Sequence, residues 1–512
     1  MARRVRRTVS GTNGNDGMHH AARHAGYRLL RHPYHPQAIF SSDELHAVHN
    51  RALDLLETLG IRFPLVDAQE LFTAAGATVK DDMVFIGRDI VDAALDSAPS
   101  TFTIRAPNPK RDIPLDQKAL IFSPAGGCPN VYDRERGRRP GDSTSYIEAA
   151  KLSQVFDVIH KQTVAPEPQD IALQERHIFM TEAQLTYGDK PLALYARGPG
   201  QVEQSFALIC AALYLDEAQF SANIYASTVI NSNSPRIFDL PMAKGIIDFA
   251  RAGQLSIITP FCLAGAMAPI SVEGALLLQH AECLAGITLS QLARPGAPVC
   301  YGGFGSNVDM KSGSPAFGTP EHVRMQIGSG QLARHIGLPW RSAAGAAANI
   351  ADAQGAQENA NGLWGAMNAN ANLVLHAAGW LEGGLTFGFE KFVTDLETLQ
   401  SLAELCTAPT IDSPDEAYDA IAGVQPGGHF FDSPHTMARY ATAFYEPLNA
   451  DLSNHGTWSD AGGLSADERA TKKWQDALTT YHQPDGCAER AERLAPLAAQ
   501  FRANGGALPL GG

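Results

Sequence analysis

The sequence lacks every short motif that would name a chemistry outright. No G-x-G-x-x-G or G-x-x-x-x-G-K-[ST] loop follows a strand-like run, and no H-E-x-x-H, G-x-S-x-G or EF-hand pattern occurs. No uncharged apolar run reaches about 18 residues, so no membrane span is expected. Basic residues are outnumbered: 40 Lys+Arg against 54 Asp+Glu leaves a net charge of −14. A nucleic-acid binder would carry a basic excess, so that partner is excluded. Cysteines are few and scattered: Cys128, Cys210, Cys262, Cys283, Cys300, Cys406 and Cys487. None has C-x-x-C spacing, which argues against a zinc cluster or disulfide framework and for reduced thiols in a cytoplasmic protein.

What is present is a globular chain of 512 residues, 45% hydrophobic and 18% charged. Met1 to Arg7 is Arg-rich, but polar, Gly-rich sequence follows, unlike a secretory signal. Residues 1–25 read as a disordered tail. Residues 26–150 read as an N-terminal α+β region. Its helices are expected at 41–59, 66–76 and 87–97, its β-like runs at Thr101–Arg105 and Ala119–Phe122, and an exposed Arg-rich loop at 134–141.

From 151 to 436 short β-prone runs alternate with helical patterns. Strands are expected at Val155–His160, Leu192–Ala196, Ala222–Thr228, Ser256–Phe261, Val299–Phe304, Trp340–Ala344, Leu373–Ala377 and Gly428–Phe431. Eight strand–helix units imply an α/β fold, an eight-stranded (β/α) TIM-type barrel, with an open doubly wound sheet as the alternative. Residues 437–512 read as a C-terminal helical extension, with the last eight residues frayed.

Barrel chemistry sits just after the strands. There the sequence places Tyr195, Arg197, Gly265, Tyr301, Phe304, Asn307, Arg341, Asn349, Asp352, Gln354, His376, Trp380, Glu382 and His429. Tyr195, Tyr301, Phe304, Trp380 and Phe387 could cage a quaternary ammonium, each ring adding about 0.5–2 kcal/mol, or could simply pack under helices. His376 reads as a substrate contact or as a hydrogen-bonded core histidine. Glu390 and Lys391 read as a salt-bridged helix face. His19, His20, His24, His32 and His35 invite a metal reading that their position in a tail weakens, and no metal site is expected.

Several longer segments then carry a resemblance: TPFCLAGAMAPIS (259–271), YGGFGSNVDMKSGSPAFGTPEH (301–322), GSGQLARHIGLPWRS (328–342), DAQGAQE (352–358), NLVLHAAGWLEGGLTFGFEKFVTD (372–395) and GGHFFDSPHT (427–436). Together, from about residue 40 to 485, the chain resembles the trimethylamine–corrinoid methyltransferase family. The sequence has only the twenty common residues, so it resembles the branch without pyrrolysine, some of whose members demethylate glycine betaine. The resemblance implies a barrel that sets a quaternary or tertiary methylated amine against a corrinoid carried by a separate protein, with no tightly bound cofactor. On that footing His376 is the expected catalytic residue. Tyr195, Arg197, Tyr301, Phe304, Asn307, Arg341, Trp380 and Glu382 would contact substrate, and Gly265, Gly303, Gly305 and Asn349 would face the corrinoid. A homo-oligomer is expected. The alternatives are a trimethylamine enzyme without pyrrolysine, a non-catalytic binder of methylated amines, and a metal-dependent hydrolase on the same barrel.

Overall fold

Local signals in the N-terminal third act as the sequence suggests. Ser41 accepts from the Glu44 amide, and Glu44 accepts from the Ser41 amide at 2.8 Å, a capping box that starts the helix Ser42–Thr58. Helices Val66–Ala74 and Arg88–Ser97 follow. The computed structural model describes residues 26–195, 197–407 and 412–511. The expected tail at 1–25, with His19, His20 and His24, lies outside them.

The central sheet has seven parallel strands: β1 (Ala119–Phe122), β2 (Leu192–Ala193), β3 (Ala226–Ile230), β4 (Leu255–Ile258), β5 (Val299–Gly302), β6 (Trp340–Ala343) and β7 (Leu373–Leu375). Leu30–Arg31 adds an antiparallel edge on β1. Strands β2 to β7 are neighbours in chain order, and β7 then pairs with β1, with Leu373 opposite Ile121. An α/β sheet with that order is strongly curled. In the gap between β1 and β2 runs the extended segment 158–164. Its His160 amide donates to the Phe122 carbonyl at 2.9 Å, and its Gln162 amide donates to the Pro191 carbonyl at 3.0 Å.

Helices alternate with the strands: α1 (Pro199–Leu213), α2 (Leu240–Arg251), α3 (Val272–Ala293), α4 (Pro320–His335), α5 (Ala353–Asn368) and α6 (Phe389–Leu405). Helix α3 is buried on nearly every face because both its sides are covered, by β4 and β5 within and by Ser42–Thr58 and Arg88–Ser97 outside. Its buried Leu284, Ile287 and Leu289 each contribute about 1.5–3 kcal/mol of burial. Gly286 lets the helix sit on the sheet, since a Cβ there would lie 2.6 Å from Ile258 Cγ2.

Five expectations change. Val155–His160, expected as the first barrel strand, starts on the last residue of the helix Ser143–Val155 and continues through a turn without forming a strand. Ala119–Phe122, read as part of a separate N-terminal region, is β1 of the central sheet. Gly428–Phe431 forms no strand: it is a run of bends and turns whose side chains stay exposed, and His429 sits beside Asp432 at 3.6 Å. Residues 134–141 are not a plain exposed loop. Gly137–Pro140 pairs with Asn130–Asp133, and the buried Asp133 carboxylate accepts from Arg136 and Arg139. The C-terminal residues are not frayed through their length: the Leu510 amide donates to the Arg197 carbonyl at 2.8 Å. Helices Ala466–Thr479 and Cys487–Ala503 pack on α6 and α1, and the buried Trp474 donates its indole N–H to Glu390.

Candidate functional site

The carboxyl ends of the strands surround a cavity of about 270 Å³. Its walls come from segments that continue each strand: Ser123–Gly127 after β1, Leu194 and Tyr195 after β2, Asn231 after β3, Phe261 after β4, Phe304 after β5, and His376 and Trp380 after β7. Lys161 from the segment 158–164, Ser227 from β3 and Arg341 from β6 line its interior. The rings form one connected group. Phe304 lies 4.8 Å from Phe261 and 5.8 Å from Trp380, and Trp380 stacks on His376 at 4.7 Å. Gly345 and Gly384 bracket the indole: a Cβ on either would fall within 2.6 Å of it.

The electrostatics are one-sided. Arg341 is buried, with its guanidinium 4.6 Å over the Phe304 ring. Its Nη2 donates to His376 Nε2 at 3.0 Å, while Nε and Nη1 have no hydrogen-bond partner. Burial pulls its pKa down to about 9. The Gly126 amide donates to His376 Nδ1 at 3.3 Å, so donors face both ring nitrogens, an environment that disfavours a second ring proton. Burial, then the Arg341 charge, holds the His376 pKa well below the usual range. His376 sits at φ 55, a left-handed conformation that turns its ring in at the end of β7. Lys161 donates to Ser227 Oγ at 2.5 Å, and burial lowers its pKa to about 8. Among the described residues, no Asp or Glu lines the cavity. Two buried cations therefore share it without a counter-ion, an arrangement that costs stability unless an anion arrives.

Comparison with known proteins places the chain in a family. The family model described as Trimethylamine methyltransferase (MTTB) matches residues 6–506. The chain belongs to that family. It is 34% identical to a glycine betaine methyltransferase of Desulfitobacterium hafniense strain Y51, over 87% of this chain and 93% of that one. It is 29% identical to a trimethylamine methyltransferase of Desulfitobacterium hafniense strain DSM 10664 / DCB-2, covering 86% and 89%. A proline betaine:corrinoid methyltransferase of Eubacterium limosum is 26% identical, covering 87% and 94%.

In this member of the trimethylamine methyltransferase family, four of the residues expected at the site line the cavity directly besides Tyr195: Phe304, Arg341, His376 and Trp380. Tyr195 stands half-exposed at the rim. Arg197 lies over the Tyr195 ring at 4.6 Å and 3.9 Å from Glu167, outside the cavity. Tyr301 faces away: its hydroxyl lies 3.2 Å from His280 Nδ1 on α3. Phe387 packs against Phe389 and Phe392. Asn307 accepts from Thr319 at 2.8 Å, and Glu382 accepts from Arg138 at 2.8 Å, both away from the cavity lining.

The expected corrinoid-facing set is dispersed. Gly265 packs on Met310, Gly303 on Ser329 and Gly305 on Met325, while Asn349 is exposed on a loop. The glycines that do line the cavity are Gly126, Gly127, Gly383 and Gly384. Lys391 pairs with the buried Asp395, which also accepts from the Gly379 amide at 2.9 Å and so braces the turn carrying His376 and Trp380. Asp352 caps α5 by accepting from the Gly355 amide at 3.0 Å. No cluster of three or more His, Cys, Asp or Glu suits a metal among the described residues. Lys161 and Ser227 were missed. The available signal was a lysine directly after the run expected as the first strand.

Proposed function

We propose that the protein is a methyltransferase moving a methyl group from a quaternary amine, glycine betaine foremost, to the Co(I) corrinoid of a separate protein. The observation that carries this is Arg341: a buried guanidinium with two unpartnered N–H sites, beside Phe304 and Trp380. A carboxylate can accept from one of those N–H groups, and the rings stabilise the ammonium through their faces. Relatives named for glycine betaine and proline betaine support the same substrate class.

The chemistry suits a pocket without an acid. The C–N bond breaks, its electron pair stays on nitrogen, and the methyl leaves as a one-carbon electrophile. The departing tertiary amine is neutral and needs no proton, so no general acid is required. The corrinoid, held at the mouth, supplies the nucleophile. Gly126, Gly127, Gly383 and Gly384 fit that approach, since a Cβ at Gly127 would meet nothing within 4 Å. This chain's own residues bind and orient. Arg341 holds the carboxylate, neutral His376 holds Arg341, and Phe304 and Trp380 exclude water around the methyls.

The same reading includes three further points. The segment 158–164 serves as the eighth stave and closes the sheet into a barrel. The free thiols suit a reducing compartment, and we assign the protein to the cytoplasm. The arm from Tyr418 to Leu452 exposes eight large apolar side chains, including Phe431 and Phe444, each 83% exposed. They present on the order of 1,000 Å², comparable with one side of a standard interface, and we read a second copy of this chain as the cover.

The test is methyl transfer to an active Co(I) corrinoid protein, followed by the decay of its visible spectrum. Betaine-dependent decay supports the reading. No decay with any quaternary amine overturns it.

A further inference from the structure

Lys161 is the second cation of the pocket, and the reading above leaves it without a task. It lies deep. Its partner Ser227 is the second residue of β3, as Arg341 is of β6, while the ring of His376 follows the end of β7. Ser227 Oγ accepts from Lys161 and donates its one proton to the Leu192 carbonyl at 3.1 Å, which orients the hydroxyl toward the ammonium. The other titratable group whose field reaches Lys161 is the Cys300 thiol on β5, kept neutral because burial pushes its pKa up. No carboxylate of this chain faces either cation in the cavity among the described residues.

We propose that Lys161 is a specificity residue that makes the pocket floor cationic, so that only methylated amines bearing an anionic group are accepted, carboxylate first. The proposal rests on the methyltransferase reading and narrows its substrate class to zwitterions. A zwitterion brings its own anion to Lys161 and Arg341 and leaves its trimethylammonium toward the rings and the mouth. Choline and protonated trimethylamine carry the same cationic head without an anion. They would enter against two buried like charges, and the repulsion is strong because little water screens it. A hydroxyl oxygen can accept from either group, but it carries no charge and so does not offset that repulsion.

Two measurements test this on the full-length protein. First, calorimetric binding compares glycine betaine with choline for wild type and Lys161→Met, a swap of similar length without charge. The wild type is expected to prefer betaine by at least about a hundredfold, and the variant to lose at least about tenfold of that preference. Second, betaine binding to wild type near pH 8, where Lys161 is partly neutral, should take up protons from the buffer. The uptake should vanish in Lys161→Met and near pH 6. Equal affinity for choline and betaine, or proton uptake unchanged by the substitution, overturns the role of Lys161. Transfer from no quaternary amine would instead overturn the methyltransferase reading, while the binding data still decide the charge of the floor.

Discussion

Replacing Arg341 with methionine separates the two demands on the pocket, because stability and affinity should move in opposite directions. The guanidinium is buried, and burial lowers its pKa from the ordinary arginine range to about 9. By the usual conversion, keeping it charged in the empty protein costs on the order of 5 kcal/mol. The sign follows from linkage. The unfolded chain holds this proton more tightly, so the penalty is present throughout the range below about 9, and stability recovers only as pH rises through that value. Methionine removes the charge and keeps much of the stem, so the empty variant should melt no lower than wild type. Betaine binding should suffer. In the proposed binding mode the substrate carboxylate accepts from one of the guanidinium N–H groups that have no other partner. Truncating one member of such a buried charged pair costs about 2–5 kcal/mol, so the Kd for glycine betaine should rise at least about thirtyfold. Titration calorimetry and scanning calorimetry on the same preparations read both effects. A betaine Kd within about threefold of wild type would refute the anchor and leave Arg341 as a ring-stacking residue over Phe304.

Trp380→Ala should weaken betaine binding by about 1 kcal/mol or more through lost cation–π attraction, with Trp380→Phe recovering part of it in the same titration. His376→Ala should lower turnover, with the far-UV dichroism of wild type retained, because it frees the Arg341 head; turnover at the wild-type rate would reject that role. The kcat/KM for betaine should be flat through the ordinary histidine range and fall as pH passes about 8, because Lys161 loses its proton there while His376 is already neutral. A fall centred near the ordinary histidine pKa instead would point to His376. In light scattering, Phe431→Asp with Phe444→Asp should reduce the mass of the particle to that of one chain; an unchanged mass would move the interface elsewhere.

How far the sequence could carry these conclusions depended on which physical signal each residue gave. Strands β2 to β7 were legible within a few residues, since each is a short apolar run followed by a helical pattern, the mark of a strand buried on both faces. β1 was equally apolar but was assigned to the wrong unit, because a hairpin and a helix, Asn130–Pro140 and Ser143–Val155, follow it before the chain returns to the sheet. Gly428–Phe431 has the aromatic composition of a strand with none of the burial.

The site separates along a different line. Strand alternation decides that Cys300 faces the interior, where its thiol feels Lys161 and Arg341, and that Tyr301 therefore points out to α3. Phe304, beyond the strand end, escapes the alternation and turns in. Reading residues near strand ends without that parity admits Tyr301 and Phe304 alike. Lys161 illustrates a further limit. A lysine beside a strand ordinarily marks solvent, and nothing in its neighbours says otherwise. Its meaning comes from Ser227, 66 residues on, and from the missing carboxylate, which is a property of the whole wall. An ammonium substrate would at first suggest a search for acidic residues. The assembled cavity has the opposite sign, which favours a substrate that carries its own anion. The choice between betaine and trimethylamine thus rests less on the rings, which would receive either head group, than on two cations that only one of them can neutralise.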